Sequence, residues 1–213
     1  RKSLECKEDW RTYNGYAWSF FKLHNRSDQV IEAFKKSIAL SENWNSFLGL
    51  GTALIKTSQL DEAIKAFGES IRLHPNWAAY RGIASANMQK GNYKDAEIFF
   101  LESLKLNKYP DCFHGLGAIL LKNKKYKDSI EAFNNAVDLH PTWNSYHGLG
   151  SALLKLNQYE SAIDAFHKSN QIRLNTFSFL GIGLAFYKTN RFSEAITAFE
   201  KSSGLGSLSA AKE

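Results

Sequence analysis

The chain has 213 residues, 44% of them apolar and 23% charged, with a net charge of +6. Those proportions are ordinary for a folded protein, and no apolar run approaches the ~18 residues that span a bilayer, which argues against membrane insertion. The charge favours acidic partners or plain solubility and does not by itself indicate nucleic acid. The opening RKSLECKED lacks the apolar core of a signal peptide. It reads as the start of a fragment, or of a chain whose signal has been removed.

A glycine ahead of a small apolar pair recurs at Gly15, Gly49, Gly82, Gly115, Gly148 and Gly181, at an interval of 34 and then of 33 throughout. A fixed period in this range signals stacked repeats, so six units should form one elongated array rather than a sphere. In chain order the spacing predicts a lead-in over 1–9, then repeats near 10–43, 44–76, 77–109, 110–142, 143–175 and 176–207. Residues 208–213 are a tail or the start of a truncated further repeat.

The first repeat is atypical, as terminal repeats are, with one extra residue in its turn near 25–27. In the second, Phe47, Gly51 and Leu54 mark one helical stripe and Ala63, Phe67 and Ile71 another, with Thr57, Ser58 and Gln59 between them. Polar or glycine-bearing turns follow at 90–92, 123–125, 156–158 and 189–191. In the third repeat, Asn87 and Glu97 occupy slots that are apolar elsewhere, and they are expected to bond each other. Pro75 and Pro141 should follow second helices and Pro110 should open a first helix. Strand signals are absent, so the chain is expected to be all-α. Cys6 and Cys112 lie about three repeats apart, too far for the ~7 Å limit on bridging. Both read as free thiols, which fits a reducing, cytoplasmic compartment.

The aromatic row Phe47, Tyr80, Phe113, Tyr146, Phe179, the small residue four later, the alanines Ala63, Ala96, Ala162 and Ala195, and the Phe four beyond resemble the tetratricopeptide repeat. The likeness covers roughly residues 10–207. Two features depart from it: four intervals are one residue short, and Gly occupies a slot where such repeats often carry Asn. The resemblance implies an α-solenoid, a right-handed superhelix of six helix-turn-helix repeats. Its first helices would line a concave groove that holds a peptide or protein segment.

The residues support such a groove independently. Opposite the buried stripe of the first helix lie Asn45, Leu48, Thr52 and Ile55 in the second repeat. Arg11, Asn14, Trp18 and Phe21 take that place in the first repeat, and Asn144, His147, Ser151 and Leu154 in the fifth. Arg81, Ser85, His114 and Tyr187 extend the face. Apolar area mixed with sparse polar groups suits recognition. Lys22, Lys56, Lys122, Lys155 and Lys188 share the end of the first helix, where they serve the helix dipole, a basic rail for an acidic segment, or both.

Several sharper readings give way to plainer ones. Trp10, Trp44, Trp77 and Trp143 read as junction staples rather than a stacking ladder. His114 and His147 are neighbours in slot, but helices packed ~8–10 Å apart with no completing ligand make them hydrogen-bonding groups of the groove, and no metal or cofactor is expected. GLGTAL and GLGSAL lack the third glycine and preceding strand of a dinucleotide fingerprint. No nucleophile–base set appears, so the chain is not expected to be an enzyme. The variable groove slots lack a base-reading code, which argues against nucleic acid.

The leading expectation is a protein-interaction scaffold. The alternative, on the resemblance, is an accessory array of a larger bacterial glycosyl-, sulfo- or methyltransferase. The glycine row is expected to face the groove, so that Gly148→Ala leaves the free array at least as stable while weakening partner binding. The C-terminal face, with Ala195, Ile196 and Phe199, is expected either to continue in a longer protein or to pack on a second copy.

Overall fold

The computed structural model describes residues 9–23 and 27–210, with side chains over 9–22 and 28–205. Cys6, the extra turn residue near 25–26 and the last three tail residues lie outside the described residues. Those described form helices and turns with no strand. Six pairs follow in chain order: α1 (Trp10–Leu23) with α2 (Ser27–Leu40), α3 (Trp44–Lys56) with α4 (Leu60–Leu73), and α5 (Trp77–Lys90) with α6 (Tyr93–Leu106). Then come α7 (Pro110–Lys122) with α8 (Tyr126–Leu139), α9 (Trp143–Lys155) with α10 (Tyr159–Ile172), and α11 (Thr176–Lys188) with α12 (Phe192–Ala210). Two compact units result, Arg1–Asn107 and Lys108–Glu213. Inside each, the members of a pair pack together and each second helix also packs on the next first helix.

Local chemistry sets the helix ends. Asn43, Asn76 and Asn175 have extended backbone, and each side-chain oxygen accepts from the backbone N–H three residues on, at 2.8 Å in each case. Thr142 does the same for Ser145 at 3.3 Å. These caps satisfy donors that the first helical turn leaves orphaned. In the fourth repeat Pro110 stands at the first helical position instead, where its missing N–H costs nothing. The first helices α3, α5, α7, α9 and α11 then stop on a left-handed residue: Ser58, Gly91, Lys124, Asn157 and Asn190 have φ between 59° and 83°. The N–H one residue later closes back on the helix, as Gln59 N to Leu54 O at 3.0 Å and Gln158 N to Leu153 O at 3.0 Å. This is the Schellman pattern.

One aromatic ring per repeat organises the core. Phe34, Phe67, Phe100, Phe133 and Phe166 are all at most 2% exposed. Phe67, Phe133 and Phe166 each lie against glycines of two first helices, that of their own repeat and that of the next. A Cβ added at Gly51 or Gly150 would stand 2.8 Å from the ring of Phe67 or Phe166 in the same repeat. One added at Gly49, Gly82, Gly148 or Gly181 would stand 2.2–2.4 Å from the ring of the preceding repeat. The glycine row therefore faces the core, which corrects its expected place in the groove. Only hydrogen at Cα lets the helix close on the ring. Gly15, in the first repeat, has nothing within 4 Å of an added Cβ.

A serine row completes every pair but the fourth, where Ala136 takes the slot. Ser37, Ser70, Ser169 and Ser202 donate from the second helix to the backbone carbonyls of Trp10, Trp44, Trp143 and Thr176, at 2.8, 2.9, 2.7 and 3.0 Å. Ser103 does the same to Trp77 at 2.8 Å. The third repeat's Asn87 is buried but finds local partners: it donates to Ile83 O at 3.1 Å and accepts from Asn92 at 3.4 Å. Its expected pairing with Glu97 is not the one formed. At the C-terminal end, α12 continues to Ala210, so residues 208–210 belong to the sixth repeat's second helix.

Candidate functional site

In the first unit the outer face of the first helices is largely occupied by its own side chains. Asn14 is 8% exposed and donates to Ser46 Oγ of the next repeat at 2.7 Å. Trp18 Nε1 donates to Asn45 Oδ1 at 2.9 Å, and the Trp18 ring meets Phe21 and Phe34 edge-on at 6.0 and 5.4 Å. The Lys56 ammonium lies 3.9 Å above the centroid of Phe21, a cation–π contact. Thr52 turns its hydroxyl back to Leu48 O at 2.7 Å. Arg81 lies over the Trp77 ring at 5.6 Å. Leu48, Arg81 and Ser85 are half-buried and Lys22 is exposed.

In the second unit the same inter-repeat bond is made by imidazole. His114 Nδ1 is 3.2 Å from Ser145 Oγ and His147 Nδ1 is 3.1 Å from Ser178 Oγ. Burial holds both imidazoles below the usual histidine range, opposed at His114 by the charge of Asp111. Ser151 bonds back to His147 O at 2.9 Å, and Asn144 accepts from Thr142 at 2.5 Å. Lys122, Lys155 and Lys188 are exposed.

The rest of this face is open. Along α11, Phe177, Leu180, Leu184 and Tyr187 are 69%, 42%, 40% and 54% exposed. They recur at i, i+3, i+7 and i+10, one stripe of a helix, and Tyr187 meets Phe192 edge-on at 5.9 Å.

The sequence reading therefore divides. Asn14, His114 and His147 are joints between repeats rather than groups held out for a ligand, and Asn45 is already an acceptor for Trp18. The lysines and the α11 stripe are exposed, with Lys56 held over the Phe21 ring. Of that stripe the sequence reading singled out Tyr187 for the site and missed Phe177 and Leu184, although their spacing was visible. The tryptophans also differ in detail. Trp44 stacks on His74 at 5.2 Å, and Trp143 lies under Arg173 at 5.1 Å. Both partners follow the second helix of the same repeat, so these tryptophans close their own pair.

Two surface cavities, about 340 Å³ and 210 Å³, prove to be one slot seen twice. Phe179, Ile182, Phe186 and Ala198 floor the first, and Phe47, Leu50, Leu54 and Ala66 floor the second at equivalent positions. Their recurrence marks them as a product of the stacking. Among the described residues no group of three His, Cys, Asp or Glu is placed to hold a metal ion. No described helix is long and apolar enough to cross a membrane.

Six successive helix pairs, packed ring against glycine, define the helical-repeat class of protein-interaction scaffolds. The sequence profile of the tetratricopeptide repeat matches residues 48–110 and 114–169, more than half of the chain, and the chain belongs to that family. Among solved structures it is similar to a chain of the APC/C hetero-tetramer Cut9–Hcn1 (TM-score 0.78, 22% identity, 93% of this chain and 40% of that one). It is also similar to YrrB, described as a TPR protein with an unusual peptide-binding site (0.71, 20%, 81% and 91%). A third likeness is to pilF of Pseudomonas aeruginosa (0.78, 15%, 89% and 88%). At these identities the likeness is one of fold, and this chain spans only 40% of the Cut9–Hcn1 chain's length. No curated protein matches the chain.

Proposed function

We propose that the protein holds a peptide or protein segment against the outer face of its first helices, and that α11 carries the main apolar contact. The observation behind this reading is the stripe Phe177, Leu180, Leu184 and Tyr187, exposed in a row, of which Phe177 also meets the His147 ring edge-on at 6.5 Å. Apolar area of this kind supplies affinity, and the polar groups beside it, Asn144 and Ser151, supply register. Lys122, Lys155 and Lys188 close each first helix, so a segment with acidic residues near one end matches the face in charge as well. The similarity to YrrB, whose description names a peptide-binding site, adds support.

Selection of peptides from a display library on the intact chain tests the reading. Selected peptides should share apolar anchors. Leu184→Asp with Tyr187→Ala should abolish their binding while leaving the helical circular dichroism and melting temperature in place. Retained binding by that variant removes α11 from the site.

A further inference from the structure

Between α7 and α8 the chain reads Lys122-Asn123-Lys124-Lys125-Tyr126-Lys127. All four lysines are exposed. Lys124 holds the left-handed position of the turn, with φ of 61°, where the two later turns of this unit use Asn157 and Asn190. Asparagine tolerates that conformation well and lysine poorly, so the turn is not optimised for its own backbone.

Helix electrostatics do not account for the lysines either. Lys124, Lys125 and Lys127 stand at the N-terminus of α8, where the helix dipole already contributes positive charge. Other turns neutralise their cations: Lys90 pairs with Asp61, and Arg191 is held by Glu194 and, at 3.2 Å, by Glu160. Among the described residues Lys124 and Lys127 have no such partner. The turn flanks a shallow cavity of about 290 Å³ whose lining adds Tyr126, Asp128 and Leu156 to three of the lysines. Asp128 is the one carboxylate in that lining, and Glu160, on the adjacent turn, is already engaged by Arg191.

We infer that this turn is a docking surface for a short acidic protein segment, a run of Asp and Glu with an apolar side chain seated against Leu156 and Tyr126. Its geometry is that of the turn edge and does not depend on the α11 stripe. RNA fits less well: the six residues contain no arginine fork for phosphate, and the one aromatic ring is half-buried in the cavity wall rather than offered for stacking. A membrane surface fits less well because the six residues carry no exposed apolar side chain to insert.

Fluorescence anisotropy with three probes tests the inference: a labelled peptide of nine glutamates and one leucine, a single-stranded RNA of equal charge, and phosphatidylserine vesicles. The peptide should bind most tightly, with affinity falling as salt rises. Exposed ion pairs each carry up to roughly fivefold in affinity. Lys124→Glu with Lys127→Glu should therefore weaken peptide binding by about tenfold or more, and Lys124→Gln with Lys127→Gln by less. The control Lys65→Glu with Lys94→Glu, equal in net charge, should leave binding nearly unchanged, as should the α11 variant above. An equal loss in the control would show net charge alone at work and overturns the inference. Preferential binding of RNA or vesicles overturns it too, in favour of that ligand.

Discussion

The first helices of the two units are built from the same slots, yet their outer faces end in different states. In the first unit Trp18 donates to Asn45, Phe21 lies beneath the Lys56 ammonium, and Asn14 is sealed against Ser46. In the second unit His147 keeps the equivalent bond to Ser178, but the α11 stripe stands open. The difference teaches that the repeat dictates the buried rows, ring, glycine and serine, and leaves the outer face free to vary. A face that satisfies itself suits structure, and one that leaves aromatic and aliphatic groups uncovered suits recognition.

The buried rows give the largest expected effect. Gly148→Ala drives a Cβ to 2.4 Å from the Phe133 ring, and overpacking of this kind costs about 1–3 kcal/mol. Gly15 occupies the same slot in the first repeat without a ring against it. Gly15→Ala should therefore raise stability, by about 0.5–1 kcal/mol. Urea denaturation of the two variants breaks the comparison if both move in the same direction.

The joints give the next contrast. Burial lowers the folded-state pKa of His114 and His147, so in the pH range below their unfolded value near 6.5 the unfolded chain binds more protons than the folded one. Stability should be fully present above that value and fall as the pH drops through the lowered folded values. His114→Asn with His147→Asn, copying the first unit's Asn14, should flatten the urea midpoint between pH 8 and pH 5. A midpoint equally pH-dependent in both forms would clear these joints.

Two smaller effects sharpen the contrast. Trp18→Phe removes the donor to Asn45 and should cost about 0.5–1.5 kcal/mol, measured by thermal denaturation. Lys124→Gly relieves a left-handed lysine and should add about 0.5–1 kcal/mol. The same change at Asn157 should add less, because asparagine already accepts that conformation.

The helix pairs were readable because proline, turn and apolar stripes all share one period, and Pro110 stands at the head of α7 as its position implied. The glycine row was visible but its direction was not. A helical glycine suits a ligand or a packed ring equally well, and the ring that decides, Phe67 for Gly51 and Gly82, lies in another helix. Asn14, His114 and His147 looked like one variable surface column. Their common role appears only when each is matched with a serine one repeat on, Ser46, Ser145 or Ser178. The serine and N-cap rows carried the period openly, and their purpose needed the carbonyls and N–H groups they meet.

The two-sided ring has a consequence for how such a chain can change length. Phe166 serves Gly150 behind it and Gly181 ahead, so what is conserved along the chain is a phase, not a boundary. Removing residues 126–158, one full period, joins Lys125 to Tyr159 and presents α7 to α10 with Gly117 in the place of Gly150. A turn can absorb one residue more or less, as the first interval of 34 shows, but the same change inside a helix rotates the rest of its stripe away from the ring. Gene rearrangements that copy or drop whole periods, starting at any codon, should therefore yield folding proteins, whereas frame-preserving insertions of a single residue within a helix should not.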